Sequence, residues 1–261
     1  MTLQLDPRRI AMLQEMGLRL LPRVASVDAE PEAVVAEAVE SVQAVAPVQA
    51  RAPVAPAVPV RVRGDRPAGV ESLDWADLEA AAAGCRACGL CESRRNTVFG
   101  VGPQRADWMV IGEAPGENED QQGEPFVGQA GKLLDNMLRA AGLDRRRNVY
   151  IANVLKCRPP GNRNPEPQEV AQCEPFLRRQ VALVQPRVIL AMGRFAVQAI
   201  LQSQEPVGRL RGRVHRYEGV PVVVTYHPAY LLRNLQDKAK AWSDLCLAMD
   251  LMDGVQPAAS T

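Results

Sequence analysis

Aromatic residues are scarce and unevenly placed: they make up 4% of the chain, and residues 1 to 74 contain no Phe, Tyr or Trp, so that Trp75 is the first. From about residue 22 to 70 the composition is Ala, Val, Pro and Glu, with Pro47, Pro53, Pro56, Pro59 and Pro67 in the second half. Such a segment has little to bury, and its prolines prevent long helices, so a disordered linker is expected there. Ahead of it, in "PRRIAMLQEMGLRLL" (7–21), Ile10, Leu13, Met16 and Leu20 recur at helical spacing. The short amphipathic helix this predicts can be a docking peptide for a protein partner or a frayed remnant, and the sequence leaves both open. The expected organisation is a helix and linker over 1–74, a folded domain over 75–253 and a disordered tail over 254–261.

Other absences narrow the class. No run of 18 or more apolar residues occurs, so no membrane-spanning helix is expected. Asp6, Arg8, Arg9, Glu15, Arg19 and Arg23 interrupt any signal-peptide core. The expectation is a cytoplasmic monomer. The net charge is only +1, yet basic residues gather at 145–163, 178–187 and 209–216, which leaves a phosphate-rich partner open.

Four apolar runs, "WMVIG" (108–112), "VYIANVL" (149–155), "VILAMG" (188–193) and "VPVVVTY" (220–226), read as buried strands. Helical patterns at 129–142, 168–184, 194–202 and 236–252 alternate with them. This order predicts an α/β fold, a mostly parallel four-stranded sheet covered by helices on both faces. Ligands in such sheets sit beyond the carboxyl ends of the strands. The unusual residues fall there: a glycine-rich acidic loop after the first strand, Asn153 closing the second, His227 after the fourth.

That loop, "GEAPGENEDQQGEPFVGQAG" (112–131), holds five glycines and two prolines, so no regular helix or strand is expected in it. It carries Glu113, Glu117, Glu119, Asp120 and Glu124, then the apolar pair Phe126 and Val127. A second concentration is of cysteine. "CRACGLC" places Cys85, Cys88 and Cys91 at C-x2-C-x2-C spacing, and Cys157 and Cys173 follow with fifteen residues between them. Without a secretory signal, metal binding is a better first reading than disulfides. A pair split between a loop and the next helix favours a cubane iron–sulfur site, with zinc as the rival. Cys246 sits in the apolar pattern of the last helix.

Together, "CRACGLC", the acidic glycine loop, "NVLKCRPPGNRNP" and "HPAYLLR", in this order and spacing over roughly 80–250, resemble the family 4 uracil-DNA glycosylases. The resemblance implies a three-layer αβα glycosylase fold and a [4Fe–4S] cluster held by Cys85, Cys88, Cys157 and Cys173, with Cys91 outside the four. It implies hydrolysis of the N-glycosidic bond of deoxyuridine in single- or double-stranded DNA. Ala114 stands where many relatives have glycine, a change that a backbone contact survives. The chain lacks the glutamine and the histidine-bearing insertion of a subgroup that traps uracil covalently, so ordinary turnover is expected.

The chemistry required assigns roles. A base within a duplex must be flipped out to be read. Asn153 offers an acceptor for uracil N3–H and a donor for O4, and Phe126 a surface for the ring. By resemblance His227 lies against uracil O2, where charge develops, and Glu113 orders the water or the flipped nucleotide. Glu119 and Asp120 are expected to shape the pocket around C5. Arg158 and Arg163 are expected along the phosphate backbone, Leu231 or Leu232 as a wedge in the base stack, and Arg233 on a phosphate. The rival reading is a non-catalytic iron–sulfur or zinc module of a replication or repair assembly.

Overall fold

The computed structural model describes residues 67–254; the expected N-terminal helix, nearly all of the linker and the tail after Gly254 lie outside the described residues. A single 3-10 turn at Val70–Ser72 leads into α1 (Trp75–Gly84) and α2 (Leu90–Ser93). Then follow β1 (Trp108–Gly112), α3 (Glu117–Gln122), α4 (Gln129–Ala140), β2 (Val149–Asn153), α5 (Pro167–Val184), β3 (Val188–Met192) and α6 (Arg194–Leu201). Helix α3 lies within the acidic glycine stretch, against the expectation of no helix there: the glycines flank it at Gly116 and Gly123 and do not interrupt it. The remainder comprises α7 (Val207–Leu210), β4 (Val214–Tyr217), β5 (Val220–Thr225), α8 (Pro228–Leu231) and α9 (Lys238–Met252).

The strands pair in the order β2-β1-β3-β5-β4. The first three pairings are parallel and β4–β5 is antiparallel. Every residue of β1, β2 and β3 is buried, which is why these strands read as unbroken apolar runs. Alternate side chains divide between two cores. Val110, Ile151, Leu190 and Val223 meet α4 and α9 through Leu134, Met137, Trp242 and Leu245. Ile111, Ala152, Ile189 and Val224 meet α5 and α6 through Leu177, Val181, Val197 and Ile200. The expected αβα layering is present.

The sheet has five strands, one more than expected. Strand β4, "VHRY", is short, sits at the edge and is only partly buried, so no apolar run announces it. It joins β5 through Glu218 and Gly219, both at positive φ (48° and 80°), the left-handed pair that a two-residue hairpin needs to match strand twist.

The fold also begins ahead of Trp75. Val70 is buried with Leu78, Ala82, Phe99 and Phe176, and Arg179 Nε donates to the Leu73 carbonyl at 2.7 Å. A chain starting at Pro67 should therefore be more stable than one starting at Trp75 by about 1.5–3 kcal/mol, the usual worth of one buried aliphatic side chain. Equal urea midpoints for the two truncations would show that this turn contributes nothing.

Candidate active site

The carboxyl ends of β1, β2, β3 and β5 open onto one cleft of about 710 Å³ whose lining includes Glu113, Ala114, Phe126, Asn153, Arg194 and His227. Strand register sets this up: β1 and β2 run parallel with Gly112 directly beside Asn153. A Cβ on Gly112 would meet Asn153 Oδ1 and, at 2.6 Å, Phe126 Cζ. Only the missing side chain lets the asparagine amide and the phenylalanine ring come together over the strand end. Phe126 holds φ at 55°, an unfavourable region for an aromatic residue, and its neighbours over-determine it. Arg145 Nη2 donates to the carbonyls of Pro125 and Phe126 at 3.2 and 3.1 Å and pairs with Asp135 of α4 at 3.1 Å.

His227 follows β5 and caps α8. Its ring stacks on Phe126, with centroids 5.3 Å apart and planes 26° from parallel. The Ala229 N–H donates to Nδ1 at 3.1 Å, so the proton of the neutral ring sits on Nε2 and makes that atom a donor. Burial holds the pKa down at about 4, with Arg233 acting in the same direction and Glu119 opposing it. The ring is therefore neutral at physiological pH. Glu113 follows β1, and its Oε1 accepts from the Phe195 N–H at 3.0 Å, at the start of α6. Burial raises its pKa, while the backbone donors of Phe195 and Arg194 and the Arg194 charge lower it. Between the two groups lies Gly193 at φ 92°, where a Cβ would fall 2.5 Å from Glu113 Oε1 and 2.9 Å from His227 Cβ. A glycine after β3 thus sets how closely carboxylate and imidazole approach.

Two further acids of the loop, Glu119 and Asp120, are bound by backbone. Glu119 borders the cleft, but one oxygen accepts from Gly116 N–H at 3.0 Å and the other from Val127 and Gly128 N–H at 3.0 and 3.2 Å. Both oxygens accept from backbone, so Glu119 shapes the loop that carries Phe126 while bordering the cleft. Asp120 is buried and takes the Arg95 and Asn96 N–H groups at 2.8 and 3.2 Å. It ties the loop to the segment after α2 and does not line the cleft.

The expected DNA-contacting residues separate. Leu231 is fully buried among α4, α9 and the sheet, because the single turn of α8 points it inward; as a wedge it is corrected to core. Leu232 is 43% exposed, and Arg233 is exposed beside the cleft. Arg163 is drawn into a two-pronged pair with the nearly buried Glu169, so its charge is largely answered within the protein. Arg158 Nε donates to Asn162 Oδ1 at 2.8 Å, with Glu117 at 3.6 Å from its Nη2.

Behind the cleft, Cys85, Cys88, Cys91, Cys157 and Cys173 line one small cavity together with Arg94 and Lys156. Arg94 Nη1 donates to Cys157 Sγ at 3.0 Å. Burial pushes the Cys173 thiol up to about 12 and that of Cys88 up to about 11, so ionising several of them together calls for a positive centre. Among the described residues no group of three His, Cys, Asp or Glu side chains is arranged to hold a single metal ion. Ala114 packs against this cysteine cluster and also lines the cleft, a single methyl between the two.

Comparison with known proteins resolves the family. The model of the uracil DNA glycosylase superfamily matches residues 99–246. The type-4 uracil-DNA glycosylase of Archaeoglobus fulgidus is 44% identical over 196 residues, 72% of this chain and 97% of the relative. This chain belongs to the uracil-DNA glycosylase superfamily. The type-4 enzyme of Thermotoga maritima is 43% identical over 158 residues, 60% of this chain and 82% of the relative. The type-5 enzyme of Thermus thermophilus is more distant, at 33% over 118 residues, 40% and 53% of the two chains.

Sequence reasoning about this glycosylase overlooked several groups at the cleft. Tyr226 and Tyr230 stack at 5.0 Å and 24° at its mouth, and the Tyr230 hydroxyl donates to Asp237 at 2.7 Å. The signal was present in "TYHPAY", where two aromatics flank the histidine. Gly193 was visible only as the end of a strand. The neutral state of His227 yields a prediction. With a pKa near 4 against 6.5 in the unfolded chain, the folded protein binds fewer protons between those values, so His227 costs stability increasingly as pH falls from 6.5 toward 4. Single-turnover cleavage should show no inflection from His227 near 6.5. An inflection there in the wild type that vanished in His227→Ala would contradict the neutral assignment.

Proposed function

We propose that this glycosylase flips deoxyuridine out of DNA into the cleft and hydrolyses its C1′–N1 bond, releasing uracil and leaving an abasic site for base excision repair. The observation that carries this reading is the convergence of Asn153, Phe126, Glu113 and a neutral, Nε2-protonated His227 on one cleft. As the bond breaks, its electron pair moves onto the base and positive charge builds on the sugar. His227 Nε2–H meets the negative charge on O2, where a donor held in place costs no reorganisation. Glu113, fixed by the N-terminus of α6, faces the sugar cation and orients the water that attacks C1′. Asn153, 2% exposed at the end of β2, reads the N3–H and O4 edge. Phe126 carries the ring. Leu232 fills the gap left in the stack, and Arg233 meets a phosphate.

The cysteine cavity suits a [4Fe–4S] cluster on Cys85, Cys88, Cys157 and Cys173, with the Arg94 hydrogen bond to Cys157 Sγ supporting a thiolate there. The cluster supplies structure: it would join the α1–α2 segment to the loop after β2 and to α5. Anaerobically purified protein should be brown, with a broad absorption near ~400 nm. Cys157→Ala or Cys173→Ala should lose the colour and Cys91→Ala should keep it; colourless protein with stoichiometric zinc would overturn the assignment.

Three substitutions separate recognition from chemistry. Asn153→Ala should weaken transition-state stabilisation by about 2–4 kcal/mol, on the order of a hundredfold or more in single-turnover rate. His227→Ala should slow the chemical step at saturating enzyme while leaving binding nearly unchanged. Arg233→Ala should weaken binding to all sequences alike and flatten its salt dependence. A wild-type rate for His227→Ala once DNA is bound would remove His227 from the oxyanion site.

A further inference from the structure

The motif "NVLKCRPPG" places Asn153, Lys156 and Cys157 within five positions, and the function described so far uses the first and the last. Lys156 is 2% exposed. Its Nζ donates to the Asn153 backbone carbonyl at 2.7 Å and to Gln180 Oε1 at 2.7 Å. Neither partner is a carboxylate. Gln180, fully buried on α5, is fixed in turn by donating to the Phe99 carbonyl at 2.9 Å and to the Tyr150 hydroxyl at 3.1 Å. Tyr150 belongs to β2, the strand that ends on Asn153.

An amine is an expensive group to enclose, and an apolar chain of the same length would fill this space at lower cost. What the lysine adds is direction. Asn153 is the last residue of its strand. Lys156 folds back over three residues to take its carbonyl and anchors it to α5. The peptide plane that follows Asn153 sets the angle at which its side-chain amide enters the cleft. Gly112 already leaves the amide little lateral room, since even a methyl there would collide with Oδ1.

We infer that Lys156, braced by Gln180, is a positioning residue for Asn153, holding the strand end so that the asparagine amide meets the uracil edge in register. The inference rests on Asn153 being the uracil-reading residue. A small angular error in a group that pairs with two atoms at once loses both hydrogen bonds, as misplacements of about 1 Å commonly cost on the order of a hundredfold in rate.

The test is a double-mutant cycle on the anaerobically purified full-length chain, comparing wild type, Lys156→Met, Asn153→Ala and the double variant. Four quantities are read: single-turnover rate on a uracil-bearing oligonucleotide, inhibition by free uracil, melting midpoint and visible absorption. Lys156→Met should slow cleavage by roughly tenfold to a hundredfold and weaken uracil inhibition in parallel, with absorption unchanged and a cooperative melting transition retained, its midpoint lowered by the two buried acceptors left without a donor. The double variant should be no slower than Asn153→Ala, because a residue acting through Asn153 has nothing left to position. Gln180→Met should shift rate and uracil inhibition in the same direction by a smaller factor. Wild-type rate and inhibition in Lys156→Met would overturn the inference, as would a double variant slower than Asn153→Ala by the full Lys156→Met factor. Loss of folding in both Lys156→Met and Gln180→Met would make the pair a fold element and equally overturn it. If Asn153→Ala itself cleaved at the wild-type rate, the assignment of Asn153 would fall first, a result distinct from the others.

Discussion

The contact on which the cleft depends is the one that Gly112 permits. Strand pairing puts Gly112 and Asn153 side by side at the ends of β1 and β2, and the space a methyl would take at Gly112 is filled by the Asn153 amide and the Phe126 ring. Much of the acidic loop follows from that approach. Phe126 is held in its left-handed conformation by Glu119, which accepts from the N–H groups of Gly116, Val127 and Gly128, and by Arg145, which donates to its carbonyl. Strain at one residue is held by fixed charges around it, a pattern characteristic of functional sites. His227 then completes the wall by stacking on the ring so placed.

Within this loop the carboxylates divide by what reaches them. Glu119 and Asp120 are approached by backbone donors from several directions, so their charge is consumed in ordering the chain. Glu113 meets the start of α6, and the rest of its surroundings is the cleft. Burial raises its pKa and the helix end and Arg194 oppose that shift; the carboxyl is held firmly at the edge of the cleft. That combination suits a group that must face a short-lived cation, because charge fixed in advance needs no rearrangement as the bond breaks.

The fold was largely legible because three of its strands are buried on both faces and therefore continuously apolar, and the site was legible through "HPAYLLR", "NVLKCRPPG" and the glycine loop. What sequence could not distinguish were side chains of the same kind with different surroundings. Leu231 and Leu232 are neighbours of equal hydrophobicity, and only the turn of α8 sends one into the core and leaves the other at the surface. Arg163 reads as a basic loop residue until Glu169 is seen to pair with it. Strand β4 lacked an apolar run, and its one cue was Glu-Gly at a hairpin turn. Lys156 looked like one more charge in a basic stretch, since a sequence gives no sign of which lysine lies inside.

The cleft and the cysteine cavity are adjacent, and the sequence that builds one also builds the other. Between Asn153 and Cys157 only three residues intervene. Val154 and Leu155 are buried, with their N–H groups on the carbonyls of Gly112 and Glu113 at 3.0 and 3.1 Å, so the chain continues β1 pairing past the end of the strand. Lys156 then turns back to Asn153 while Cys157, buried, accepts from Arg94. Ala114 packs across the same junction. Any group that fixes Cys157 and Cys173 therefore also fixes the backbone on which Asn153 and Glu113 depend. A structural cofactor at this position needs no part in bond breaking to matter for catalysis. Its effect would be felt as the precision with which the strand end presents an amide to the base.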